Sequence, residues 1–235
     1  MSTSLLLHFD GADASTTFTD EVGHTMTRVN SPVIATAQSV FGGASGDFRN
    51  TNRALTTPGA AEFNLGTGDF TYETFFYCPV VNTGFGVFFD TGSQGFAAQF
   101  DATTLYLIFV INGSIILTSS AHGMTSGNWY YLAWKRASGV CTIHIGTSGA
   151  TSQIGSVSNS TSCNNSTTVN VMNYSGAAGY SPNAYADEMR LTKGEALDVS
   201  TVPSSAFTYT PPSSSFVQQV MRHHFIPNFI GANHG

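Results

Sequence analysis

Residues 70–78 read Phe-Thr-Tyr-Glu-Thr-Phe-Phe-Tyr-Cys. Side chains of an extended chain alternate between faces, so Phe70, Tyr72, Thr74, Phe76 and Cys78 share one side. Aromatic and β-branched residues at that period favour a strand over a helix. The turn sequence Gly66-Thr-Gly-Asp69 opens the run. Comparable runs follow at Gly84–Asp90, Gly95–Phe100, Thr104–Ile111, Ser114–Thr118, Asn128–Arg136 and Val140–Ile145, with later strands expected at Val169–Asn173 and Tyr185–Leu191. Asn112-Gly113 between two β-branched runs is a hairpin signal, because both positions of such a turn need positive φ. No segment carries a helical period beyond two turns.

A meander with turns about every ten residues predicts an all-β fold, a two-sheet antiparallel β-sandwich. Its expected core includes Leu5, Leu7, Phe9, Phe48, Phe70, Tyr72, Phe76, Phe109, Trp134 and Leu191. Residues 146–168 are almost entirely Gly, Ser, Thr and Asn, and are read as one weak strand plus a long exposed loop. Residues 1–209 are expected to form the sandwich. Residues 210–235 are expected to be a Pro/Ser linker and an apolar C-terminal arm, with Phe216, Phe225, Ile226, Phe229 and Ile230 as its contact residues. The arm either docks on a neighbouring subunit or folds back on its own sandwich.

The 235 residues are 41% hydrophobic and only 9% charged, where about a quarter charged is ordinary. With 27 Ser, 29 Thr and 24 Gly, hydroxyls and backbone supply the polar surface. Coiled coils need Ala, Glu, Lys, Leu and Arg in bulk, and disordered chains lack this many aromatics, so both are excluded. The formal net charge of −6 is the wrong sign for a duplex-binding protein. The N-terminus has no basic residue before its three leucines, so no signal peptide is expected. No apolar stretch approaches 18 residues, so no membrane span is expected. Cys78, Cys141 and Cys163 lack metal-type spacing and read as reduced thiols.

Six motifs stand in an order that resembles concanavalin A-like, laminin-G-like jelly-roll domains. They are Leu5-Leu-Leu-His-Phe-Asp-Gly11, Phe18-Thr-Asp-Glu-Val-Gly23, Val40-Phe-Gly-Gly-Ala-Ser45, Phe63–Thr71, Asn128–Trp134 and Ala186-Asp-Glu-Met-Arg-Leu-Thr-Lys-Gly194. The likeness covers residues 4–212 and is closest in kind to the versions common in virion proteins of tailed bacteriophages. It implies a virion structural protein, a small accessory or capsid decoration protein located in the virion. Other capsid or tail proteins, and copies of itself, would be its partners. The alternative it leaves open is a lectin-like carbohydrate-binding module of a tail fibre, with a cell-surface glycan as partner. Trp129, Tyr174 and Tyr180 are then the candidate glycan-stacking residues.

The resemblance also makes the first and last strands neighbours, which would bring Asp10, Asp20 and Asp187 together around a structural Ca²⁺, a cation that takes carboxylate oxygens. The plainer alternatives give Asp10 an Asx-type turn with Gly11 and Asp20 a turn cap. Glu188 and Arg190 share a face of a regular strand and are expected to pair. An enzyme is not expected. Sandwich glycoside hydrolases carry two or three carboxylates alternating on one strand, whereas Phe70–Cys78 carries Glu73 alone.

Overall fold

The computed structural model describes residues 2–49, 52–77, 85–101, 104, 106–121, 123–164, 168–174 and 180–209. Cys78 and the arm residues Phe216, Phe225, Ile226, Phe229 and Ile230 lie outside these described residues. Two antiparallel sheets form a β-sandwich, as the alternation predicts. Helix among the described residues is confined to one 3₁₀ turn, Ala61–Phe63.

One sheet has eight strands. Six of them, β13 (Ser152–Ser158), β12 (Val140–Gly146), β11 (Trp129–Ala137), β6 (Phe70–Tyr77), β15 (Tyr185–Lys193) and β4 (Ser45–Asp47), pair in that order, and β3 (Val33–Ala35) closes the edge. The eighth strand, β1 (Ser2–Leu7), pairs with the second half of β15, so the first and last strands are neighbours as expected. The other sheet runs β10 (Ser114–Thr118), β9 (Tyr106–Ile111), β8 (Phe96–Asp101), β7 (Phe85–Asp90), β14 (Thr168–Val171), β5 (Ala54–Pro58), β2 (Thr27–Val29). The β9–β10 turn has Asn112 at φ 51° and Gly113 at φ 70°, the conformation its Asn-Gly predicts.

The core lies between the sheets. Phe70, Tyr72, Phe76, Phe88, Phe89, Phe96, Phe109 and Trp134 are all buried there. Tyr72 stacks on Phe89 with ring centroids 4.9 Å apart, and the Trp134 ring meets Tyr72 at 5.8 Å and Phe88 at 5.6 Å. Such ring pairs add specificity to an area term of roughly 25 cal/mol per Å². Residues at the opposite parity of β6 are buried too. The reason is a second apolar layer, in which Val199 and Phe207 from the segment after β15 cover Leu6, Phe75, Tyr131 and Ala133. A strand sheltered on both faces explains why Glu73, on the outer side of β6, is only 2% exposed.

The centre of β15 departs from a regular strand. Its pairing with β6 shifts register between Asp187 and Arg190, and Glu188 sits at φ 47°. A bulge puts two consecutive side chains on one side, and both carboxylates meet the outer layer. The expected Glu188–Arg190 pair is therefore not made. Arg190 instead grips Glu73, with Nε 2.8 Å and Nη2 2.5 Å from Oε1, and its guanidinium lies 4.5 Å over the Phe207 ring. Glu188 accepts from His8 Nδ1 at 2.9 Å and from the Phe207 amide at 2.7 Å.

Candidate functional site

The outer face of the seven-stranded sheet carries the chemistry that is left over once structural pairs are set aside. Alternation sends Phe96, Ala98, Phe100, Leu107, Phe109 and Ile111 into the core. It leaves Ala97, Ile108 and Val110 as a separate small apolar patch on the other side, with Phe85 against it. Beside that patch is a cleft of about 450 Å³ lined by Asp90, Gly92, Gly95, Ala97, Asn170 and Tyr174 among others. That volume lies in the range of small-ligand sites.

The turn Asp90-Thr-Gly-Ser-Gln-Gly95 builds one wall. Asp90 Oδ1 accepts the Gly92 amide at 3.0 Å, Thr91 Oγ1 accepts the Phe96 amide at 2.8 Å, and the Gly95 amide donates to the Gly92 carbonyl at 2.8 Å. Glycine is required at position 95, because a Cβ there would lie 2.0 Å from Thr91 Oγ1 and 2.9 Å from the Asn164 carbonyl oxygen. Asn164 in turn donates its amide to the Gln94 carbonyl at 2.7 Å, which ties the turn to the loop before β14.

Asp90 sits opposite Asn170 in the β7–β14 ladder, and Asn170 Nδ2 donates to Asp90 Oδ2 at 2.9 Å. Both residues are nearly buried, Asp90 at 5% exposure. Burial raises the Asp90 carboxyl above the usual range, partly opposed by the bonds from Asn170 and Gly92. Tyr174 closes the cleft at the end of β14, and its hydroxyl accepts from Gln99 Nε2. Burial, with the Asp90 carboxylate adding to it, pushes the Tyr174 phenol well above its ordinary value, so it remains a neutral hydroxyl. The Tyr174 and Tyr180 rings meet edge-to-face at 5.1 Å, and Tyr180 is 38% exposed.

Two of the three aromatic residues singled out in the sequence thus come together. Trp129 does not join them. It starts β11 of the other sheet, where its ring packs on Tyr77 at 5.4 Å and on the second apolar layer. Asp90, Asn170 and Gln99 were missed by the sequence reading. The signal available was a scarce carboxylate followed by Thr-Gly-Ser-Gln-Gly, and a polar Asn between the two valines of Val169-Asn-Val171.

The three carboxylates expected around Ca²⁺ are not gathered into one site. Asp20 is saturated: Oδ1 accepts from the Leu6 amide at 2.8 Å and the Val22 amide at 3.3 Å, and Oδ2 from the His24 amide at 3.1 Å and the His24 ring. It is a turn cap. Asp10 is exposed and lies against the turn Phe41-Gly42-Gly43, where a Cβ on Gly42 would come within 1.7 Å of Asp10 Oδ1. Asp187 Oδ2 takes the amides of Val40 and Phe41 at 2.7 and 3.1 Å. No group of three His, Cys, Asp or Glu with the arrangement of a metal site occurs among the described residues. The residues present do not fit the ion.

Cys141 and Cys163 are buried free thiols, and burial raises both above the ordinary thiol range. Among the described residues no helix is long and apolar enough to cross a membrane.

No family model matches the chain, and no curated protein matches it by sequence. Solved structures do match by fold. The binding domain of Paraclostridial Mosquitocidal Protein 1 superposes with a TM-score of 0.64 at 15% identity, over 84% of this chain and 50% of that one. The binding domain of Botulinum Neurotoxin DC in complex with SialylT gives 0.59 at 12% identity, over 84% and 48%. Trypanosoma rangeli sialidase in complex with 2,3-difluorosialic acid gives 0.57 at 11% identity, over 84% and 31%. The chain therefore spans about half the length of these toxin binding domains. The three are two toxin binding domains and a sialidase rather than virion proteins, and at these identities the likeness shows the sandwich fold.

Proposed function

We propose that this chain is a carbohydrate-binding module whose sugar site is the Asp90–Asn170–Tyr174 cleft. The observation that carries this reading is the cleft's mix of groups: a nearly buried carboxylate, an amide locked beside it, a tyrosine at the rim and a floor of glycines and small apolar side chains. Sugars present hydroxyls on the ring edge and C–H groups on the faces, so they need acceptors and an apolar surface at right angles to each other. A carboxylate has about four lone-pair positions. The bonds from Gly92 and Asn170 use two and fix the group's orientation.

Support from outside the chain is the fold's use in toxin binding domains, one of them in complex with SialylT, and in botulinum neurotoxin type C, whose cell entry is dependent upon interaction with two ganglioside molecules. The virion reading rests on the phage-like motifs and on the arm, and the arm lies outside the described residues. Binding without catalysis is part of the proposal, because glycoside hydrolysis needs a pair of carboxyl groups and Asp90 is the single carboxylate among the described residues lining the cleft.

The test is a glycan array read with the wild-type chain and with Asp90→Asn and Tyr174→Ala. Asp90→Asn removes the charge that strengthens hydroxyl hydrogen bonds, worth roughly 1.5–3 kcal/mol, so affinity is expected to fall about 10- to 100-fold. Tyr174→Ala is expected to cost several-fold. Because the ionised carboxylate is the better acceptor, wild-type affinity should weaken as pH falls through the raised Asp90 range, and that pH dependence should vanish in Asp90→Asn. A blank array for a folded wild-type chain sinks the proposal.

A further inference from the structure

The charge map of the cleft narrows the ligand. Resting on the carbohydrate reading, we infer that the site takes neutral sugars presenting adjacent hydroxyls and rejects glycans that place a carboxylate in the cleft, as sialic acids would. Recognition of an acidic sugar calls for a basic side chain or a set of converging amide donors. Here the charged group lining the cleft is Asp90 itself, and none of the described lining residues is Lys, Arg or His.

The described Lys and Arg side chains stand away from the cleft. Of eight Lys and Arg, Arg49 and Arg53 pair with Asp47 at 3.0 and 3.3 Å, and Arg190 pairs with Glu73. Arg136 donates to backbone carbonyls, and Lys193 Nζ donates to the Ala61 carbonyl at 2.9 Å. Lys135 stands on β11 of the opposite sheet. Arg28 stands on β2, two strands beyond β14, and does not line the cleft. Arg222 lies outside the described residues. In the sequence, Asn-Ser-Thr at 165–167 before Thr168 and Ser-Gly-Ala-Ala-Gly at 175–179 after Tyr174 contain no ionisable side chain. A ligand carboxylate entering the cleft would therefore face Asp90 without a compensating charge among the described lining residues, in surroundings partly shielded from water where like-charge repulsion is felt strongly.

The neutral reading also explains the floor. Ala97 and Val110 are small enough to let the C–H face of a pyranose lie close to the sheet, and Asp90, fixed by Asn170, can accept from two neighbouring hydroxyls at the ring edge.

The experiment is an array of matched pairs, lactose with 3′-sialyllactose and N-acetyllactosamine with its sialylated form, alongside neutral hexose and N-acetylhexosamine oligomers. Affinities of the hits are then measured by calorimetry. The expected result is binding to neutral members, with any sialylated counterpart at least about tenfold weaker, and a ratio that narrows towards one in Asp90→Asn. Equal or tighter binding of the sialylated members overturns this inference while leaving the carbohydrate site standing. Silence on both sets, from a chain whose circular dichroism shows the folded sandwich, removes the carbohydrate reading and this inference with it.

Discussion

Arg136→Ala is expected to lower the melting temperature by roughly 10 °C, from a loss of about 3–4 kcal/mol. Arg136 is fully buried on β11, yet no carboxylate partners it among the described residues. Its guanidinium donates instead to three carbonyls: Gly66 at 2.6 Å, Gly68 at 2.8 Å and Thr161 at 2.8 Å. It also lies 5.0 Å over the Phe70 ring and 3.5 Å from Cys163 Sγ. Five N–H donors in a rigid fork suit this task, and an ammonium does not reproduce it. Arg136→Lys should therefore recover less than half of the loss.

The same substitution should reach the cleft. Thr161 and Cys163 belong to the loop whose Asn164 supports Gln94 and Gly95, so releasing the loop loosens the wall beside Asp90. Urea unfolding gives the stability change, and limited proteolysis reports whether cleavage concentrates in residues 159–164. If Arg136→Ala melts within 2 °C of wild type, the anchoring role is wrong.

The legible part of this fold was the part governed by period. Phe70, Tyr72 and Phe76 alternate because they face the other sheet, and Asn112-Gly113 turns because those residues accept positive φ. The short strands β2 to β5 were not seen: β2, β3 and β4 have three residues each, too few for alternation to show, and β5 (Ala54–Pro58) carries two threonines and a proline with a single large apolar side chain. Period also misled at Glu188. A regular strand puts it beside Arg190, and the bulge cancels that relation because one extra residue reverses every following side chain.

The site was half legible. Tyr174 and Tyr180 were accessible from composition, as aromatics in a Gly-rich stretch with little core to fill. Asp90 and Asn170 were not, because their pairing joins residues 80 apart through the β7–β14 ladder. Scarcity of charge proved the better guide. In a chain with only 14 Asp plus Glu, the carboxylates of Asp20, Asp47, Glu73 and Glu188 are absorbed by amides, arginines or histidines.

Asp187 is a buried carboxylate whose ionisation costs the fold stability, and its removal should invert the usual pH profile of the variant against wild type. The residue is fully buried at the β15 bulge, with Oδ2 bonded to two amides and Oδ1 buried without a hydrogen-bond partner among the described residues. Burial drives its carboxyl up from 3.8 to about 7, against the opposing pull of the Val40 and Phe41 amides. Below pH 3.8 the folded and unfolded chains both hold the proton, and the full contribution to stability is present. Between pH 3.8 and about 7 the unfolded chain releases the proton while the folded chain keeps it, so stability falls as pH rises. Above about pH 7 both are ionised and the loss is complete. At about 1.4 kcal/mol per unit, the upper bound on that loss is roughly 4 kcal/mol. Asp187→Asn keeps a carbonyl oxygen for the two amides and carries no charge, while its Nδ2 inherits the unpartnered position at a cost of about 1–3 kcal/mol. The variant should therefore be less stable than wild type at pH 4.5 and more stable, by about 1–2 kcal/mol, at pH 8, with the two curves crossing in between. Asp187→Ala loses the amide acceptor as well and should be the weaker of the two variants at every pH. Urea unfolding from pH 4.5 to 8 measures this, and parallel wild-type and Asp187→Asn curves would mean that the buried carboxyl titrates at its ordinary value.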